Sequence, residues 1–157
     1  MDKSTKFIVE AGIIASMYAS LTVGLGFLAY GEVQIRFAEA LAILPFFTPA
    51  AIPGLFVGCF AANLIGPNGI IDAVIGSSAT LIAAVITYYM PKRWLAPVPP
   101  IVVNALAVGW MLKVIYEYPL PLAAIMGYVA IGQTIACYLL GYPLLLLLQK
   151  NKNRMFG

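Results

Sequence analysis

Arg36 and Glu39 stand three residues apart at the head of an apolar run, so on a helix they share one face. Two uses fit that spacing. The pair could neutralise itself near a membrane surface, or Arg36 could hold Glu39 so that its carboxylate points into a polar hollow. Further along, Asp72, Gly76 and Thr80 repeat every four residues, and Ala83, Ala84 and Thr87 continue the stripe. Asp72 there could simply complement a positive helix N-terminus, with the small residues allowing close packing. Because the stripe begins with a carboxylate, a ligand-facing role is the favoured reading. Asn63, Asn104 and Gln133 are isolated amides in apolar surroundings. Interhelical hydrogen bonds of this kind contribute about 0.6 kcal/mol on average, so structural glue is the default for each; Gln133 is the best placed to touch a ligand. Glu117 adds a carboxylate in a later loop.

These groups can recognise a small polar molecule, and covalent chemistry is not expected of them. The chain has no histidine, so no serine or cysteine has the usual base beside it. It carries no G-x-x-x-x-G-K-[ST] phosphate loop. Cys59 and Cys137 lie inside apolar runs, where a free thiol behaves as a small hydrophobe, and they imply neither a disulfide nor a metal site. The expectation is a binding protein with no catalytic residue, no metal and no cofactor.

The elements that must position these groups follow from composition. Of 157 residues, 62% are hydrophobic and 10% charged, and the mean hydropathy is +0.96. Soluble domains average about 25% charged residues, so the chain is expected to be an all-α integral membrane protein. No linker or charge block divides it, and residues 1–157 form one expected transmembrane substrate-binding domain. A spanning helix needs roughly 20 apolar residues. The pattern predicts six spans: Phe7 to about Gly24; two shortened helices between Phe37 and Ile65, turning around Thr48 and Pro49; Ile70 to Met90 after the Gly66-Pro67-Asn68-Gly69 turn; Pro99 to Val114; and Leu122 to about Leu148. The Gly-rich stretch from Gly24 to Gly31 is expected to act as a lid.

With both termini cytoplasmic, Lys3, Lys6, Lys92, Arg93, Lys150, Lys152 and Arg154 fall inside, as the positive-inside rule requires. Arg36 and Lys113 remain at the outer side. The net charge of +3 is therefore explained by topology, and no nucleic-acid partner is expected. Glu32, Glu39, Asp72 and Glu117 all fall in the outer half. An acid at the centre of a spanning helix costs at least about 2.5–3.5 kcal/mol, so acids gathered there from separate segments point to a pocket opening outward. Trp110, Tyr116 and Tyr118 fit an interfacial aromatic belt better than a stacking platform. On the first helix, Ala11, Ala15 and Ala19 form a ladder that admits a close neighbour. Spacing alone favours internal packing over a separate protein by about two to one.

Three stretches carry a family resemblance: Gln34-Ile35-Arg36-Phe37-Ala38-Glu39-Ala40-Leu41, Gly58-Cys59-Phe60-Ala61-Ala62-Asn63-Leu64, and Ile71-Asp72-Ala73-Val74-Ile75-Gly76-Ser77-Ser78-Ala79-Thr80-Leu81. They resemble the QueT family of substrate-binding S components of energy-coupling factor (ECF) transporters, assigned to precursors of queuosine. The similarity in spacing covers nearly the whole chain and is loosest in the final third. It implies a six-helix S-component fold in a prokaryotic plasma membrane. It also implies a transmembrane coupling subunit and two ATPase subunits as partners, with Ala11, Ala15 and Ala19 docking on the coupling subunit. The implied ligand is a 7-deazaguanine such as the aminomethyl form, or queuine, held by Arg36, Glu39, Asn63, Asp72, Thr80, Asn104, Glu117 and Gln133. Gln133 departs from the family pattern, in which Glu is frequent. The competing readings are an S component for a vitamin such as a flavin or thiamine, and a non-transporting membrane scaffold.

Overall fold

The computed structural model describes residues 2–26 and 36–150. Glu32, Gln34, Ile35, Lys152, Arg154 and the lid stretch from residue 27 onward lie outside the described residues. Within them the secondary structure is helical throughout. The first helix, α1 (Lys3–Gly24), starts earlier than its apolar run because the Asp2 carboxylate accepts a hydrogen bond from the Lys3 N–H at 2.8 Å and caps the helix. A ten-residue 3-10 helix, Phe37–Phe46, follows. The chain turns through residues 47–50 into α2 (Ala51–Ile65), so the long apolar region is split at the prolines as expected. Gly69, in the left-handed region at φ 65°, completes the next turn and opens α3 (Gly69–Tyr88). After a short 3-10 turn at Arg93–Leu95 comes α4 (Val98–Val114), with Pro99 and Pro100 in its first turn, where a missing N–H costs nothing. The last span runs through α5 (Leu122–Thr134), a π-helical segment Ile135–Gly141 and α6 (Tyr142–Lys150).

Among the described residues, four stretches are long and apolar enough to cross a bilayer: Lys3–Gly24, Gly69–Tyr88, Arg93–Val114 and Leu122–Lys150. Phe37–Phe46 and Ala51–Ile65 are shorter apolar helices. Their outward side chains, including Ile13, Val57, Val74, Ile82, Leu106, Ile131 and Leu139, are exposed. Large apolar groups facing outward on every long helix make this a multi-pass membrane protein, since water would not tolerate such a surface.

Close packing is set by glycines. A Cβ on Gly54 would lie 2.8 Å from the Ala11 carbonyl oxygen, and one on Gly58 would lie 2.7 Å from that of Ala15 and 2.9 Å from Tyr18 Cβ. The alanine ladder thus lies at the α1–α2 seam, with Ala11, Ala15 and Ala19 half-buried. Gly12, Ser16 and Ser20 occupy the open face of the same helix. Gly109 is likewise pressed on Met126, joining α4 to α5, and Gly141 on Ala40, joining the π segment to the 3-10 helix.

At one end Thr48 donates to Glu10 (2.9 Å), Arg93 donates to Gln149 (3.1 Å) and the Tyr138 hydroxyl donates to the Trp94 carbonyl (2.9 Å). Lys92 and Lys150 are the chain neighbours of this Arg93–Gln149 contact. Two apolar clusters fill the interior. One joins Tyr18, Leu41, Ile43, Leu55, Cys59 and Leu145; the other joins Val108, Met111, Leu112, Ile125 and Val129. The polar groups of interest touch both: Tyr18 of the first bonds Glu39, and Val108 and Val129 of the second line a hollow with it.

Candidate functional site

Arg36 stands as the N-cap of the 3-10 helix and Glu39 lies in its first turn. Both are buried. The Glu39 carboxylate accepts a hydrogen bond from the Tyr18 hydroxyl at 2.5 Å and one from Asn104 Nδ2 at 3.5 Å, tying α1 and α4 to the 3-10 helix. Arg36 Nη2 lies 3.5 Å from Asp72 Oδ2, and Asn68 Nδ2 lies 3.3 Å from the same oxygen. The guanidinium therefore links Asp72 on α3 to the segment bearing Glu39. A 3-10 run of this length is uncommon; here it sets both charged groups in one interior layer.

The stripe on α3 is the buried face of that helix, with Asp72, Gly76, Thr80, Ala83, Ala84 and Thr87 all inside. Gly76 lacks a side chain where Asn63 passes: a Cβ there would meet Asn63 Nδ2 at 2.7 Å. Asn63 Nδ2 reaches over it to the Asp72 main-chain carbonyl at 3.1 Å and to Cys59 Sγ at 3.3 Å. Thr80 bonds back to the Gly76 carbonyl at 3.0 Å and also approaches Cys59 Sγ at 3.4 Å. On the last span Cys137, in the π-helical segment, faces the Glu39 carbonyl (3.5 Å) and Gln133 Oε1 (3.7 Å).

Arg36, Glu39, Gly76, Thr80, Asn104, Val108, Val129 and Gln133 line a hollow of about 10 Å³, room for one water molecule. Small-molecule pockets are typically about 300–1,000 Å³, so admitting an organic ligand requires these walls to part.

Of the residues singled out from sequence, the structure gathers Arg36, Glu39, Asn63, Asp72, Thr80, Asn104 and Gln133 into this one interior region, and every one of them is buried. Glu117 does not join them. It is exposed, in the left-handed region at φ 51° in the turn after α4, because the chain must reverse there before α5. Arg36 and Glu39 are more than a local surface pair: each is bonded to another helix. Trp110 is 47% exposed on the outer surface of α4, a belt position, whereas the Tyr116 hydroxyl is buried. Burial and the nearby Asp72 charge push the Tyr116 phenol above its ordinary pKa.

Tyr18 was not among the expected site residues. Its signal was a phenol in mid-helix, far from either interface, where a polar tip needs a partner. The two thiols also face the polar cluster and do more than fill apolar space. Removing the hydroxyl in Tyr18→Phe deletes a bond to a charged group, which contributes about 1.5–3 kcal/mol. The variant is expected to unfold at lower temperature in detergent; an unchanged midpoint would show that the bond contributes nothing.

A family model described as QueT transporter matches residues 8–150. The chain is also similar to a Lactococcus lactis subsp. cremoris (strain MG1363) protein named queuosine precursor transporter QueT, 33% identical over 85 residues. That alignment covers 52% of this chain and 50% of the Lactococcus protein, so it spans about half the length of the curated relative. No solved structure matches this chain.

Proposed function

The chain belongs to the QueT transporter family, and on that premise we propose that it is the membrane-embedded S component of an ECF-type importer, taking up a queuosine precursor of the 7-deazaguanine class. One observation carries the reading: separate elements deliver a guanidinium, two carboxylates, three amides and a hydroxyl to a single buried layer of a membrane protein. Polar groups at membrane depth are costly unless they are used or mutually satisfied. A deazaguanine matches their chemistry. Its pairing edge offers adjacent N–H donors to a carboxylate, and its carbonyl accepts from an amide or Arg36.

In this reading the six apolar helical stretches all cross. The 3-10 helix Phe37–Phe46 gains about 2 Å per residue and so reaches further than ten α-helical residues would. Both termini lie in the cytoplasm, which puts Lys3, Lys6, Lys92, Arg93 and Lys150 inside and the polar layer toward the outside. The membrane is the plasma membrane of a prokaryote. The chain is not an enzyme: a coupling subunit and two ATPase subunits supply the energy that reorients it.

The coupling subunit docks on α1. Of the four long spans, α1 buries the smallest share of its length. With Ala11 and Ala15 set against α2, the ladder forms one edge of an open face that continues through Gly12, Ser16 and Ser20. Ser16→Leu, whose side chain bonds only to its own helix at the Gly12 carbonyl (2.8 Å) among the described contacts, is expected to abolish co-purification with the coupling subunit and leave ligand affinity unchanged. Assembly equal to wild type would reject this face.

The function itself is tested by a thermal-shift panel on the purified chain in detergent. Stabilisation by aminomethyl-deazaguanine, with none by riboflavin or thiamine, is the expected result. Stabilisation by a vitamin alone, or by nothing, would overturn it.

A further inference from the structure

Among the described residues, the buried acceptor oxygens Asp72 Oδ1 and Asn63 Oδ1, near the N-terminal end of α3, receive no hydrogen bond, and the buried Tyr116 hydroxyl after α4 makes none. Asp72 and Asn63 are each only 1% exposed. Their orientation is set by their other bonds. Asn63 must present its nitrogen to the Asp72 carbonyl, which turns Oδ1 away. Asp72 spends Oδ2 on Arg36 and Asn68, which leaves Oδ1. Asn63 is thus bonded to the Asp72 main chain, and Tyr116 packs on the same apolar cluster as Ile75 of α3. Buried groups of this kind lack a donor that something else can bring.

Glu39 differs. Both of its oxygens already accept hydrogen bonds, from Tyr18 and from Asn104. Among the described residues the cluster holds one guanidinium and two carboxylates. The unmet requirement is therefore positive charge and N–H donors, and it sits at Asp72. A primary ammonium has three N–H donors and no acceptor, which matches two lone acceptor oxygens and a hydroxyl able to accept.

Resting on the ligand-binding reading above, we infer that Asp72, Asn63 and Tyr116 form a corner that accepts the ammonium arm of the ligand, so that the site selects a cationic base over its neutral counterpart. The ring then lies on the side of Glu39, Thr80, Asn104 and Gln133, between Val108 and Val129. Asp72 is the selectivity-determining residue, and Glu39 holds the frame.

The test measures affinities of the full chain in detergent for two probes that differ at one substituent, aminomethyl-deazaguanine (cationic) and cyano-deazaguanine (neutral). Wild type is expected to prefer the aminomethyl base by about tenfold or more, the size of a hydrogen bond to a charged group. Asp72→Asn should bring the ratio to within about threefold by weakening the aminomethyl base alone. Equal affinities in wild type overturn the inference and leave the proposed function standing, as does an Asp72→Asn protein that weakens both probes alike. Should neither probe bind wild type, the proposed function falls and the inference with it. If Asp72→Asn does not fold, Tyr116→Phe decides: a selective loss of aminomethyl binding supports the corner, and unchanged affinities reject it.

Discussion

Glu39→Gln is expected to weaken binding of aminomethyl-deazaguanine by more than tenfold and to lower the thermal unfolding midpoint of the free protein. The substitution keeps the shape and removes a buried negative charge. Glu39 lies in the same layer as Arg36 and Asp72, so the change alters the charge balance of that layer. The amide also presents an N–H₂ where Tyr18 and Asn104 both donate, so at least one of those bonds is lost. Leaving a buried donor without its acceptor costs about 1–3 kcal/mol. Calorimetric titration and a detergent melt measure the two effects. Combining the change with Tyr18→Phe should give less than the sum of the single effects, since both act on one bond. Wild-type binding together with an unchanged midpoint would remove Glu39 from the site.

Gly58→Ala carries the second large expectation, although Gly58 touches no ligand group. The added methyl would sit 2.7 Å from the Ala15 carbonyl oxygen and 3.0 Å from Ala15 Cα. Both are backbone atoms, which cannot swing aside. The helices must separate, and overpacking of this kind costs about 1–3 kcal/mol or more. Tyr18 Cβ, at 2.9 Å from the new methyl, moves with α1. The Tyr18 bond to Glu39 then stretches, so ligand affinity should fall along with stability. Gly12→Ala is the matched control, because nothing lies within 4 Å of a Cβ there; it should be neutral or slightly stabilising, by up to about 1 kcal/mol from helix propensity. Equal melting points for the two variants would show that α1 and α2 do not pack as described.

These two expectations describe one device. The polar layer is braced from behind by glycine-mediated contacts, α1 on α2 through Gly54 and Gly58, and the π-helical segment on the 3-10 helix through Gly141. The hollow in front is one water wide.

Much of this was legible in the residues. The apolar runs, the proline break near Thr48 and Pro49 and the Gly66–Gly69 turn are local signals, because helix formation and termination depend on nearby side chains and on backbone geometry. The four-residue spacing from Asp72 to Thr80 likewise identified the buried face of α3, since a helix has one periodicity wherever it packs. Glu117 shows the limit. Its type and depth along the chain suited the site, and only the left-handed turn after α4 carries it to the surface.

What the sequence determined by itself is the apolar helical stretches, the breaks between them and the inventory of acids and amides, all of which follow from short-range propensity and the cost of charge in a bilayer. What the tertiary structure alone decided is pairing: that Arg36 meets Asp72, that Tyr18 from a different helix saturates Glu39, and that the alanine ladder lies along Gly54 and Gly58. Those choices join residues far apart in the chain, and they are settled by which surfaces interlock at sub-ångström tolerance, a property of the assembled bundle and of no single segment.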